Sequence, residues 1–455
     1  MIRYNLPTSL FLRGSRVNTA KIRAQHVIKS VKYQNYYEHV HHKSTYTNNH
    51  WFHSQAKENK LRIKKALIVT KLTRYEFERI RHSELNDLEL EELIRCRGTD
   101  FDALMHYHFL HKTLERKVYE CFKNLGVETK IINRLTINRD LLRWTDIIVP
   151  VGGDGTFLLA ASRASPFFIE NSVPIVGFNS DPLRSEGRLM LPKQYSANVE
   201  DGVKKLLTGE FEWIHRSRIR ITLLGSNGET PVPIDLHEYN TAPVEHKEVI
   251  ISEPTLLDQI IGTSNANCSS TSKRKKFTKR TLPYLALNEV FIGETLSARV
   301  SHLHIRPNTT QKVTKTKSSG LCVSTGTGST SWHTSINRLS KKNVEDLLSI
   351  LKSTNSGLND ANPELISEEY NRQLVFEPDD PRLCYSIREQ ICIGVWPNPK
   401  GFESRDFAQN LYVKSRCIDA SLVIDGSIVY PFNDGTKAFL EVLPEDALLT
   451  MKMKE

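Results

Sequence analysis

The chain has 455 residues, 25% of them charged and 39% apolar, which is enough for two packed domains with full cores. The formal charge is +10, but residues 1–60 carry ten Lys/Arg against two acidic residues, leaving only +2 for residues 61–455; a nearly neutral folded part argues against a nucleic-acid partner. No run of about 18 apolar residues occurs, so no membrane span is expected, and seven widely spaced cysteines without a Cys-x-x-Cys pair exclude a zinc pattern and suit a reduced compartment.

The N-terminal stretch has no Asp or Glu before Glu38, yet holds Arg3, Arg13, Arg16, Lys21, Arg23, Lys29 and Lys32 among scattered apolar residues. That composition matches a mitochondrial presequence with a flexible arm over residues 1–60, and points to the mitochondrion and its matrix. The alternative is a disordered basic N-terminus. Ala66–Val69 reads as a first strand, and Asn86–Arg95 and Leu104–Leu125 as helices. In the second helix Leu110, Leu114, Val118 and Phe122 recur every four residues as one buried stripe. Gly126 fits its C-cap, followed by a strand at Val127–Ile132.

Next comes DIIVPVGGDGTFLLAAS, Asp146–Ser162. Ile147–Val151 reads as a buried parallel strand, Gly152, Gly153 and Gly155 as a tight turn, and Thr156 onward as the start of a helix. Such a turn makes an anion site, because free amides and the helix dipole both favour phosphate. Asp154 sits badly beside bare phosphate. Its useful roles are to accept a hydrogen bond from a sugar hydroxyl, to take its proton, or to meet a metal; the plain alternative is an Asx or N-cap contact in a βα turn.

A strand at Pro174–Phe178 and a helix near Val199–Leu207 complete an α/β pattern with a parallel sheet over residues 61–215. From Arg218 the period changes to two, as in Ile219, Ile221 and Leu223, and residues 216–450 read as a β-rich domain. Two insertions interrupt it. Residues 262–280 form a polar, Lys/Arg-rich loop, read as solvated. Residues 341–371 begin with a helical run (Val344, Leu347, Leu348, Leu351) and then turn polar, with Asn359, Asp360 and Pro363 as turn formers.

Two further stretches suit nucleotides. LALNEVFIG, Leu285–Gly293, sets Asn288 and Glu289 in an apolar strand, where burial costs several kcal/mol unless each finds a partner; a solvated edge is the alternative. SSGLCVSTGTGSTSW, Ser318–Trp332, offers Gly326 and Gly328 for backbone approach, hydroxyls from Thr327, Ser329, Thr330 and Ser331, and Trp332 for stacking. A Ser/Thr-rich turn with a core Trp gives the same letters. The chain has no G-x-x-x-x-G-K-[ST], no G-x-G-x-x-G and no H-R-D or D-F-G.

Gly152–Gly155, then Asn288–Glu289, then Thr327–Trp332, in this order and at these intervals, resemble the NAD kinase family, in particular its animal mitochondrial branch. TRYEFE (Thr73–Glu78), DPLRSEG (Asp181–Gly187), VPIDLHE (Val232–Glu238) and VIDG (Val423–Gly426) carry the resemblance across roughly residues 61–450. It implies an NAD kinase-like fold, an α/β domain with a parallel sheet followed by a β-rich domain whose last segment returns to the first. It also implies transfer of phosphate from ATP to the 2′-hydroxyl of the adenosine ribose of NAD, with Mg²⁺ as cofactor and a homodimeric assembly; no metal ligand is assigned. In that family the aspartate matching Asp154 is the general base. Gly152, Gly153, Gly155, Thr156, Asn288, Glu289, Thr327, Gly328, Ser329, Thr330, Ser331 and Trp332 are the expected nucleotide contacts, and Lys71, Arg184 and Arg188 candidate phosphate contacts. Trp332 stands where bacterial and cytosolic relatives have a Tyr. A lipid kinase of the same superfamily is the competing enzyme expectation, and a non-catalytic nucleotide-binding module the third.

Overall fold

The structure is a computed structural model that describes residues 62–454, apart from 134–135, 168–172, 226–231, 238–277, 310–311, 355–360 and 393–401. The expected presequence and most of the 262–280 loop lie outside the described residues. Among them no helix is long and apolar enough to cross a membrane.

The first half is built on β1 (Lys65–Thr70), β2 (Glu128–Asn133), β3 (Ile147–Gly152) and β4 (Phe178–Asn179). These strands are parallel, in the order β2-β1-β3-β4. The chain builds outward from β1 to β2 and then crosses to β3 on the other side. The carboxyl ends of β1 and β3 therefore flank a topological switch point, the crevice where open α/β sheets hold ligands. Every residue of β3 is buried, as expected of a strand covered on both faces.

The helices are α1 (Arg74–Arg81), α2 (Asp87–Cys96), α3 (Phe101–Asn124), α4 (Arg139–Trp144), α5 (Asp154–Ala164), α6 (Lys193–Ala197) and α7 (Val199–Thr208). Helix α1 was not expected from periodicity. Thr73 starts it with a capping box, its hydroxyl taking Glu76 N while the Glu76 carboxylate takes Thr73 N. The stripe of α3 also differs by one position at its start. His111, Leu114, Val118 and Phe122 are buried, whereas Leu110 is exposed, because a helix turns about 100° per residue and strict i+4 spacing drifts off the face. Gly126, at φ +81°, ends α3 as expected.

The second half begins with β5 (Phe211–Arg216), β6 (Ile219–Gly225), β7 (Ile234–Asp235), β8 (Thr278–Thr281), β9 (Glu289–Glu294) and β10 (Ser301–Pro307). It continues with β11 (Thr314–Ser318), β12 (Gly320–Ser324), β13 (Leu383–Arg388), β14 (Arg405–Ala408), β15 (Asn410–Ser415) and β16 (Ala420–Ile424), and closes with β17 (Ile428–Pro431), β18 (Lys437–Val442) and β19 (Leu448–Met453). The expected 262–280 loop thus ends in a strand, since Thr278–Arg280 belong to β8.

A six-stranded sheet runs β11-β10-β15-β18-β6-β8, and a seven-stranded sheet β14-β13-β12-β9-β16-β17-β7. Their alternating inward residues meet in one core, with Ile221, Leu303, Val413 and Leu440 from the first and Val290, Ile292, Val323 and Leu422 from the second. Strand β19 pairs with β5, and its Met451 and Met453 join the core of the parallel-sheet half.

Helices α8 (Trp332–Asn337), α9 (Lys341–Thr354) and α10 (Pro363–Arg372) follow β12. Pro363 opens α10 rather than a turn. Its fixed φ suits the first helical position, and the Asn362 side chain accepts from Glu364 N at 2.9 Å.

Candidate active site

Strand β3 delivers the glycine turn to the switch point. A Cβ on Gly152 would fall 2.2 Å from Thr156 Oγ1, so only glycine lets the chain turn this tightly into α5. Asp154 is the first residue of α5, and no side chain caps the preceding Gly153. The Asp154 carboxylate reaches across the turn, where Oδ2 accepts from Arg188 N at 3.0 Å and Oδ1 from Leu189 N at 2.9 Å. The Asp181–Gly187 loop is itself built on Asn179, which takes Asp181 N and donates to Ser185 O. The glycine turn and this loop are therefore one unit held by Asp154.

Lys71 follows β1 on the other side of the switch point, its amide donating to Val151 O at 3.3 Å. Lys71, Thr73, Arg74, Tyr107, His108 and Arg184 line a cavity of about 450 Å³. Burial pulls the Lys71 ammonium below its ordinary pKa, partly offset by the charge of Asp181. Arg184 lies 4.0 Å over the Tyr107 ring and 3.9 Å from Asp181. Arg188 turns to Glu186 instead, and that pairing raises its pKa, so its backbone rather than its guanidinium meets Asp154. Lys71 and Arg184 are brought together; Arg188 is not in that cavity.

The Asn288–Glu289 pair and the Ser/Thr loop meet because β9 and β12 are antiparallel neighbours, with Glu289 opposite Ser324. The start of one strand adjoins the end of the other. Thr325 locks them, with its amide on Asn288 O at 3.0 Å and its hydroxyl on Leu287 O at 2.5 Å. A Cβ on Gly328 would lie 2.1 Å from Asn288 O, so the loops touch backbone to backbone. Thr327, Gly328 and Ser329 are buried, and Thr330 and Ser331 partly so. Trp332 is 41% exposed and meets Phe291 edge-on at 4.7 Å, leaving ring surface for a ligand.

Asn288 Oδ1 and Glu289 Oε2 are buried without a hydrogen-bond partner in the structure. Unpaired buried acceptors are costly unless water or a ligand completes their bonding. Burial, with the charge of Asp425 second, pushes the Glu289 carboxyl up to about 8.

Two residues absent from the sequence-based set complete the site. Arg216, at the end of β5, donates to Thr327 Oγ1 and to Thr450 Oγ1, each at 3.3 Å. Burial lowers its pKa, with the charge of Asp154 opposing that shift, and its guanidinium connects the Ser/Thr loop to β19. Asp425, after β16, accepts from the amides of Leu287, Asn288 and Glu289. A lone Arg or an Asp-Gly turn carries no sequence signal for either contact. The parallel-sheet half and the β-rich half also join directly, through Arg163 and Asp235 at 2.7 Å and through Ser165, whose hydroxyl accepts from Leu285 N at 3.0 Å.

No family model matches the chain. It is 36% identical over 396 residues to human NAD kinase 2, mitochondrial, covering 86% of this chain and 84% of that protein. With NAD kinase 2, mitochondrial, of Xenopus tropicalis the identity is 35% over 408 residues, covering 85% and 90%. Among solved structures, yeast NADH kinase complexed with NADH is similar at 13% identity and a TM-score of 0.45, covering 88% and 89%. With more than a third of aligned positions identical along most of both proteins, the chain belongs to the NAD kinase family.

Proposed function

We propose that the protein transfers the γ-phosphoryl group of ATP to the 2′-hydroxyl of the adenosine ribose of NAD, giving NADP, in the mitochondrion. The unsatisfied acceptors of Asn288 and Glu289, beside a hydroxyl-rich loop held by Arg216, itself under the charge of Asp154, carry this reading. A dinucleotide supplies donors to both acceptors. The family membership favours a nucleotide acceptor over a lipid.

Asp154 is the general base. Each oxygen already accepts one backbone amide, which orients the carboxylate, and each keeps a second lone pair for the ribose hydroxyl. A secondary hydroxyl is a weak nucleophile, so orientation and proton removal both contribute. The glycine turn holds diphosphate oxygens, with Gly152, Gly153 and Gly155 admitting them to the backbone. Thr156 offers its hydroxyl, since its amide already donates to Gly153 O at 2.8 Å. Lys71 and Arg184 receive the donor phosphates from the neighbouring cavity. Arg188 is the weakest of the phosphate contacts, because Glu186 holds its guanidinium. Asn288 and Glu289 bind the dinucleotide; Thr327, Gly328, Ser329, Thr330, Ser331 and Trp332 enclose its adenine.

Among the described residues no three His, Cys, Asp or Glu side chains gather as a metal cluster. An Mg²⁺ carried on the nucleotide's own phosphates and water would neutralise phosphate charge. The same proposal includes a presequence in residues 1–60, a matrix location, a domain boundary near residue 215 and a homodimer; light scattering and sequencing of the mature N-terminus check the assembly and the cleavage.

Purified protein is expected to form NADP from NAD and MgATP, with no transfer to diacylglycerol or sphingosine. Asp154→Asn should lower kcat by roughly 100- to 10,000-fold, about 2.7–5.5 kcal/mol. Turnover of that variant at the parent rate would remove Asp154 from its role.

A further inference from the structure

The turn between β16 and β17 joins Ile424 to Ile428 through Asp425, Gly426 and Ser427. Asp425 and Gly426 have φ of +46° and +63°, and Ser427 N donates to Ile424 O at 2.9 Å. This is type I′ geometry, which Asp-Gly and Asn-Gly both favour. The turn itself asks nothing of a carboxylate, and a neutral Asn makes it at least as well.

Both Asp425 oxygens nevertheless reach out of the turn. Oδ2 accepts from Leu287 N at 2.8 Å, and Oδ1 accepts from Asn288 N at 2.8 Å and Glu289 N at 3.1 Å. Asp425 N donates back to Glu289 O at 3.0 Å. Three consecutive amides are thus held by one carboxylate at the place where Asn288 Oδ1 and Glu289 Oε2 stand buried and unpartnered. Desolvating an anion is costly, and no ordinary hairpin requires it. The arrangement fixes the backbone from one side while leaving both side chains free on the other.

We propose that Asp425 is a positioning residue for the dinucleotide site, pinning the Leu287–Glu289 backbone so that Asn288 and Glu289 present their acceptors to NAD. The role rests on NAD being the acceptor substrate. It has an electrostatic side as well. Asp425 and the Cys322 thiol are the titratable groups facing Glu289, and Arg218, itself beside Asp446, faces Asp425. Burial raises the Asp425 carboxyl to about 6 against the pull of the three amides and Arg218, and its charge helps to hold Glu289 up.

Two substitutions separate turn from carboxylate. Asp425→Asn keeps the type I′ preference but sets an N–H donor among amide donors and removes the charge. Asp425→Gly keeps the turn and removes every acceptor. Both are expected to melt cooperatively, to raise KM for NAD and the calorimetric Kd for NAD by about 10- to 100-fold, and to change KM for MgATP much less. The limb of the kcat/KM–pH profile that is missing in Glu289→Gln should move to lower pH in Asp425→Asn. Parent-like NAD affinity in both variants overturns the proposal. So does equal loss for NAD and MgATP with an unmoved limb, and so does failure of both to fold, since the carboxylate would then serve the fold rather than the site. If the parent protein forms no NADP, the proposed activity falls, while NAD calorimetry across the variants still decides the role of Asp425.

Discussion

Glu289 is the side chain whose protonation couples most directly to the empty bonding of the site. In the folded chain its carboxyl titrates at about 8, against an ordinary 4.5, so between those values the folded state holds a proton that the unfolded chain has released. Stability from this group therefore falls as pH rises toward 8. His333 acts in the opposite sense lower down, because burial and Arg405 hold it at about 4 instead of 6.5, and the rise of Asp425 from 3.8 is complete by about 6. Between pH 6.5 and 8 the other histidines that burial lowers, His108, His111, His215 and His304, add the opposite slope to parent and variant alike, so the difference between the two isolates Glu289. Across that interval the unliganded parent should lose melting temperature relative to Glu289→Gln; parallel slopes in thermal melts would contradict the assignment. A polar pair in an apolar strand was legible in the sequence as a site needing partners. That the partners would be missing for the side chains, and supplied by Asp425 for the backbone, was not legible, because residue 425 meets residue 288 only through the pairing of β9 with β16.

At the scale of elements, the site lies at one edge of the seven-stranded sheet. The start of β9, the end of β12 and the end of β16 are adjacent there because β9 runs antiparallel to both of its neighbours. This geometry brings Asn288, the Ser/Thr loop and Asp425 together from distant parts of the chain. The loop meets β9 at Gly328, against Asn288 O. Gly328→Ala should push the loop off β9, breaking the Thr325 amide bond to Asn288 O, and cost about 1–3 kcal/mol of stability. KM for NAD should rise at least about tenfold with it. Kinetics alongside urea melts check both effects; an unchanged KM would mean that the loop contact does not shape the dinucleotide pocket. Individual strands and the glycine turn were readable from period and composition. Helix α1 was not, because a capping box rather than a long apolar stripe defines it, and Pro363 misled because the same fixed φ serves a turn or a helix start.

At the scale of the molecule, the last strand links the two halves. β19 pairs with β5 along its whole length, its Met451 enters the core containing Ile68, Val149 and Phe178, and its Thr450 receives Arg216 from the active site. Met451→Ala should cost about 2–5 kcal/mol through the cavity it leaves. Because the same strand steadies Arg216, activity should fall at temperatures well below the melting point. Denaturant unfolding compared with activity at 25 °C tests this, and a variant as stable as the parent would show that β19 is dispensable to that core.

The order and spacing of the glycine turn, the Asn–Glu pair and the Ser/Thr loop carried the resemblance to the family, and the change from alternating strands and helices to period two carried the α/β-then-β architecture, because tight turns and strand alternation each demand particular residues locally. The neighbours of those residues were decided only by the tertiary structure. Strand order put Lys71 and Asp154 on either side of one switch point, and sheet register set Asp425 beneath Asn288. Arg216 became the connection between the Ser/Thr loop and β19 only when β5 was paired with β19. Contacts between residues hundreds of positions apart leave no local pattern, since what selects them is the closure of the sheets.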